Sequence, residues 1–279
     1  MFAASVRRAW FGVGPIATGR AVIKHLRRAD PEAHRPASAP PQGPHPFDLE
    51  FRVETGGFVG WRDLQTGGTN DPYISGYFGV VPSIARRLIA TVATPSNYIF
   101  IDIGCGKGRA AIIASEYPFR RVIGLEIAPM LASAAQANAQ IVCADFPDRP
   151  AIKIVTGDAA TFKFPSEPLV LFLYQPFERP VMREVLTRLE ASLAAHPRAM
   201  ILLYVYPALA RMLDETPWLE RRDESVDDPL PEEQPFSYGG RGGTEHVAVW
   251  TTRSPRPDLV RLNGEQHDSI SQSACRTLS

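Results

Sequence analysis

With 279 residues, 30 Lys+Arg against 30 Asp+Glu, the chain can hold one large domain with appendages and carries no net charge. That balance gives no global electrostatic case for nucleic-acid binding, so no nucleic-acid partner is indicated. Three widely spaced cysteines (Cys105, Cys143, Cys275) form neither a disulfide framework nor a zinc site, and the six histidines make no H-E-x-x-H or H-x-x-H pair, so no metal is indicated. No apolar run approaches the ~20 residues a spanning helix needs, which argues against stable membrane insertion. Arg7 and Arg8 precede an apolar stretch, but Gly12, Gly14 and Pro15 break it too soon for an export signal.

Residues 18–30 read as a small basic amphipathic helix with Val22, Ile23 and Leu26 on one side, a docked terminus more than a membrane or partner contact. Six prolines between 31 and 46 preclude regular structure there and mark a linker. Phe47, Leu49, Phe51 and Val53 alternate with charged residues, which predicts a short half-exposed strand, ended by Gly56-Gly57. An aromatic stretch, 73–82, leads into a helix over 83–92.

The most informative segment follows. Residues 98–103 are an apolar run carrying Asp102 near its end; Gly104-Cys105-Gly106-Lys107-Gly108 comes next, then a helix-forming run over 109–115. This is a buried strand, a tight turn and a helix start. Glycines permit positive φ and leave no Cβ between chain and ligand, and the unsatisfied N–H groups of the helix start attract an anion such as a carboxylate. The spacing is G-x-G-x-G. In the dinucleotide fingerprint G-x-G-x-x-G the last position packs helix on strand, and here it is Arg109, too large for that role. No P-loop pattern is present.

Residues 121–126 read as a second buried strand ending in Glu126, and an Ala-rich helix follows it. A third strand over 151–156 precedes Gly157-Asp158-Ala159, and 168–174 is a continuous apolar run, as a strand buried on both faces requires. It opens into Gln175-Pro176-Phe177. Helical periodicity over 178–193, a strand over 199–206, and two strands over 218–222 and 246–251 complete the pattern. A polar insertion containing residues 239–243 joins the last two; the polar tail after 254 is expected to be disordered.

Asp102 two residues before the first glycine, with acids ending the next strands, resembles the class I (seven-strand) S-adenosylmethionine-dependent methyltransferases, whose first motif is D/E-x-G-x-G-x-G. The resemblance covers roughly residues 73–252. It implies an α/β fold: a doubly wound, mostly parallel central sheet ending in an antiparallel hairpin, with an irregular N-terminal extension. The expected division is 1–46 (basic helix and linker), 47–95 (cap on the substrate side), 96–253 (cofactor-binding domain) and 254–279 (tail).

The cofactor implied is S-adenosyl-L-methionine, in a cytoplasmic enzyme. Its expected binding residues are Asp102, Gly104, Cys105, Gly106 and Gly108 in the loop; Glu126 on the ribose hydroxyls, with Ile127 beside it; Asp158 and Ala159 on the adenine; and Tyr77 from the cap. Tyr73 is a second candidate from the cap. Tyr174, Gln175 and Phe177 look like a shortened Asn/Asp-Pro-Pro-Tyr/Phe element of amino-directed methyltransferases. Gln replaces Asn or Asp and one proline is missing, which puts base methylation in doubt. Gly-Cys-Gly-Lys-Gly-Arg, with Tyr77 and Pro82 upstream, also looks like protein-lysine methyltransferases outside the SET class. The expected acceptor is therefore an amine, on a protein lysine or a small molecule. The alternatives are a nicotinamide-dependent oxidoreductase and a non-catalytic cofactor-binding module.

Overall fold

Residues 47–53 alternate like a strand, yet the chain there is a helix, α1 (Pro46–Phe51). The computed structural model describes residues 44–64, 66–237 and 243–253. The basic helix, the proline-rich stretch up to 43, most of the glycine insertion and the tail lie outside the described residues. Local chemistry decides for the helix in α1. Pro46 sits in the first turn, where its missing N–H costs nothing, and His45 at the N-cap accepts the Phe47 N–H on Nδ1 at 3.0 Å. Phe47 and Phe51, one turn apart, pack their rings 4.7 Å apart and are both buried, whereas Leu49 points outward at 66% exposure. A spacing of four satisfies both periods, and that is why the alternation misleads.

The cap continues through a two-stranded antiparallel ribbon, β1 (Phe58–Val59) against β2 (Tyr77–Phe78), into α2 (Pro82–Ala90). Asp48 ties the end of α1 to the ribbon by accepting the N–H groups of Thr55 at 3.0 Å and Gly56 at 2.9 Å.

Five parallel strands form the centre of the main sheet: β3 (Ile99–Ile103), β4 (Arg121–Glu126), β5 (Ile152–Thr156), β6 (Leu169–Tyr174) and β7 (Met200–Val205). With β8 (Leu219–Asp227) and β9 (Glu245–Thr252) the spatial order is β5-β4-β3-β6-β7-β9-β8, and β9 runs antiparallel between β7 and β8. Helices cover both faces. On one lie α2, α3 (Arg109–Ala114) and α4 (Pro129–Asp145), packed on Phe100, Val122, Phe172 and Leu203. On the other, α5 (Arg179–Ala195) covers Ile99, Ile101, Leu171 and Leu202, and α6 (Ala210–Asp214) adds Leu213. This is the doubly wound sheet with a terminal antiparallel pair. β8 extends to Asp227, well past 222: residues 223–227 are an edge, polar and partly solvated, and so lack the apolar run that marks a buried strand.

Because β4 and β5 lie on one side of β3 and β6 and β7 on the other, the connections diverge at β3. In open α/β sheets ligands bind beyond the carboxyl ends of the strands at such a point. The helical reading of α1 is testable by chemical unfolding. Phe51→Ala is expected to cost about 3–5 kcal/mol and Leu49→Ala within about 0.5 kcal/mol. A strand would put both side chains on one face, so a comparable loss at Leu49 contradicts the helix.

Candidate functional site

Asp102 occupies the fourth position of β3, and the backbone then turns left-handed at alternate residues: φ is 74° at Gly104, 56° at Gly106 and 88° at Gly108. A Cβ on Gly104 would stand 2.5 Å from the Pro176 side chain, and one on Gly106 would strike the Tyr77 ring. Only glycine meets both demands. The Gly104 and Cys105 N–H groups donate to the Leu125 carbonyl at 2.8 and 3.0 Å, fastening the loop to β4. Cys105 turns inward against Gly124, whose own Cβ would lie 2.8 Å from Cys105 Sγ. Burial pushes the Cys105 thiol well up, so it stays protonated and packs as a small apolar group. Burial also raises the Asp102 carboxyl to about 8, assisted by Glu126 and opposed by the Ala111 amide.

Glu126 ends β4 with both oxygens engaged by backbone: Gly106 N–H donates to Oε2 and Ala128 N–H to Oε1, each at 2.8 Å. Burial raises its pKa while those amides lower it. Each oxygen has two lone pairs, so acceptor capacity remains on the carboxylate. Beyond β5, Asp158 accepts Ala160 N–H on Oδ1 at 2.8 Å and the Asn70 side-chain amide on Oδ2 at 2.7 Å. Asp102, Glu126 and Asp158 thus stand at the carboxyl ends of three adjacent strands along one crevice, which Gly104, Cys105, Gly106, Ile127 and Ala159 also wall. Gly108 is not among its walls; it starts α3.

The cap closes this crevice from above. Tyr77 lies over Gly106, and its hydroxyl donates to the Thr55 carbonyl at 2.6 Å. Burial raises the pKa of that hydroxyl, so it remains a neutral donor. Tyr73 is not a wall residue; it packs on the opposite core beside α5. Of the turn after β6, Tyr174, Pro176 and Phe177 wall the crevice. Gln175 does not. It is exposed with φ of 40°, and the backbone turned left-handed there carries its side chain outside the walls, while the Pro176 carbonyl accepts the Ser75 N–H at 2.9 Å. The expectation that Gln175 faces an acceptor is therefore not met by this arrangement.

Two residues to which the sequence assigned no role in the site matter here. Asn70 pairs with Asp158 from the cap, and nothing in its Asn-Asp-Pro turn announces a contact 88 residues away. Arg109 is buried, donating from Nε to Thr55 Oγ1 at 2.8 Å and from its terminal nitrogens to the Thr55 and Val80 carbonyls at 2.9 and 3.1 Å. It welds the cap to the loop. The crevice walls carry three acidic side chains, Asp102, Glu126 and Asp158, against this one guanidinium, whose three nitrogens are bonded to the cap. Such a lining repels a diphosphate. It fits a ligand with hydroxyls, an amino group and positive charge, the chemistry of S-adenosylmethionine.

Residues 101–173 match the family model described as "Methyltransferase domain". No curated protein sequence matches the chain. Among solved structures it is similar to magnesium protoporphyrin IX methyltransferase from Synechocystis PCC 6803 with bound SAM (18% identity, 62% of this chain and 77% of that one, TM-score 0.41). It is similar also to a ribosomal protein L11 methylase from Lactobacillus delbrueckii subsp. bulgaricus (16% identity, 63% and 81%, TM-score 0.44). A third is an RNA methyltransferase from Salinibacter ruber in complex with S-adenosyl-L-homocysteine (19% identity, 66% and 99%, TM-score 0.40). Gly106→Val is expected to abolish S-adenosylmethionine binding in calorimetry, since a β-branched residue resists positive φ and would strike Tyr77. Retained binding would place the loop outside the site. The matched methyltransferase domain runs from β3 to β6, the strands that build the crevice.

Proposed function

We propose that the enzyme methylates an amine, on a protein lysine or a small molecule, using S-adenosylmethionine held across the ends of β3, β4 and β5. In this reading Glu126 accepts the ribose hydroxyls with Ile127 alongside. Asp158 and the Ala159 backbone read the adenine, and Asp102 with Gly104, Cys105, Gly106 and Gly108 receives the amino-acid end. Tyr77 covers it. The observation that carries the reading is the row of three carboxyls beside a loop bare of side chains at Gly104 and Gly106, in a crevice whose single guanidinium is tied to the cap. The residues 47–95 then act as the cap and 96–253 as the catalytic domain. The cofactor is made and used inside cells, so the proposed location is cytoplasmic; among the described residues no helix is long and apolar enough to cross a membrane.

The bound cofactor supplies an already activated methyl group. What remains for the chain is alignment of the acceptor, exclusion of water and removal of a proton. Tyr174, Pro176 and Phe177 form the apolar and aromatic wall on the acceptor side, and the Ser75–Pro176 and Tyr73–Glu178 backbone bonds fasten the cap to it. An acidic, aromatic wall favours a cationic amine over a phosphodiester-linked base, and the neutral net charge agrees.

Glu126→Ala is expected to weaken S-adenosylmethionine binding by about 1–3 kcal/mol in calorimetry through lost hydrogen bonds, with no heat from NAD(P) in either protein. Unchanged affinity would remove Glu126 from the ribose; NAD(P) binding would favour the oxidoreductase. In lysate from cells lacking the protein, added enzyme and methyl-labelled cofactor should label protein or small amines. Label confined to nucleic acid would overturn the amine assignment.

A further inference from the structure

The cap reaches the ends of three strands through one short segment. Tyr77 lies over Gly106 in the loop after β3. The Ser75 N–H donates to the Pro176 carbonyl and the Tyr73 carbonyl accepts the Glu178 N–H, both in the turn after β6. Asn70 bonds to Asp158 beyond β5. The first contact makes the roof and the second the acceptor wall. The third lies at the adenine end.

Asn70 is 8% exposed and, with Asp158, walls the crevice. Its place is set without help from its own side chain. Asp71 accepts the Thr66 and Gly67 N–H groups at 2.8 and 2.7 Å and the Thr66 hydroxyl at 2.7 Å, and the Asn70 carbonyl accepts the Tyr73 N–H at 2.8 Å. The backbone at Asn70 has φ of −91° and ψ of −6°, values that most side chains adopt in turns. Neither the knot around Asp71 nor the backbone requires asparagine, and the one task of its side chain is the bond to Asp158.

An ionised carboxylate only accepts, so the amide turns its NH2 to Asp158 Oδ2 at 2.7 Å, while Ala160 N–H donates to Oδ1 at 2.8 Å. Each oxygen then has one fixed donor and further acceptor capacity left over. Held at both oxygens, the carboxyl plane cannot turn without breaking a bond. Held by Ala160 alone, it could swing about one oxygen.

The geometry points to Asn70 as a positioning residue for the donor's base: by fixing the second oxygen of Asp158, it makes that carboxyl a rigid acceptor that selects a 6-aminopurine over a 6-oxopurine. The inference rests on the adenine role given to Asp158 above and deepens it. The exocyclic amino group of adenine donates to the acceptor capacity that remains. A 6-oxopurine puts an oxygen in that place and carries its proton on the neighbouring ring nitrogen instead. A carboxyl free to swing can follow that proton, whereas a fixed one meets oxygen with oxygen. Selectivity of this kind comes from the repulsive arrangement as much as from the attractive one.

The test is calorimetric titration of S-adenosylhomocysteine and of S-inosylhomocysteine, which carries the 6-oxo base, into the full chain. The wild type is expected to prefer the amino compound at least about thirtyfold, a moderate ratio for a site that hydrogen-bonds a polar group. Asn70→Leu removes the donor at similar size and should cut that preference about fivefold or more. Asn70→Ala should do the same and serves if the first variant does not fold. An equal loss for both ligands, with the ratio kept, overturns the inference, because Asn70 would then only tie the cap down. A wild type that binds neither compound, or both alike, would instead overturn the adenine role of Asp158 beneath it.

Discussion

The backbone between β3 and α3 is left bare at two points, and the site is assembled on that bareness. Tyr77 from the cap fills the space where a Gly106 side chain would be, and Pro176 from the turn after β6 fills the one at Gly104. Two segments separated by about a hundred residues therefore converge on one loop, which the Leu125 carbonyl holds to β4. A Cβ at either glycine would push the cap or the turn away, and with it the enclosure that keeps water from the reacting groups.

Around the loop the electrostatics follow from strand order. Parallel strands end at the same edge, so acids terminating β3, β4 and β5 are forced into a row. Buried carboxyls are tolerable only with partners, and the turns that follow each strand provide them: Gly106 and Ala128 for Glu126, Ala160 for Asp158, Ala111 for Asp102. These amides fix the carboxyls without exhausting them.

The sequence made the centre of the sheet legible because strands buried on both faces leave unbroken apolar runs, as in Leu169–Tyr174 and Met200–Val205. The glycine loop was legible for a related reason: positive φ and close approach restrict the residue type itself. What escaped depends on geometry that no local pattern encodes. The spacing of Phe47 and Phe51 fits a helix and a strand equally well. The outer part of β8 is polar because it is an edge. Gln175 leaves the crevice through one dihedral angle, and Tyr73 and Tyr77, four residues apart in one aromatic stretch, end in different places because the chain between them crosses from one core to the other. Asn70 and Arg109 acquire their meaning from partners distant in the chain, on which composition is silent.

Arg109 shows how one position can exclude one ligand class while building the site for another. At that place in a dinucleotide fold a glycine lets the helix approach the strand beside a diphosphate. An arginine there has the right chemistry for a phosphate ligand. Its environment prevents this, because Thr55 and Val80 take its donors and Asp48 stands 3.9 Å away. All three nitrogens of the guanidinium are thereby tied to the cap, and turning it outward toward an anion in the crevice would break its bonds to Thr55 and Val80. The charge thus works on the cap, holding Thr55 where its carbonyl can accept the Tyr77 hydroxyl, and Tyr77 in turn covers Gly106. The residue that departs from the dinucleotide pattern is the one that seats the aromatic roof over the bare loop, leaving the three carboxyls to set the sign of what binds beneath it.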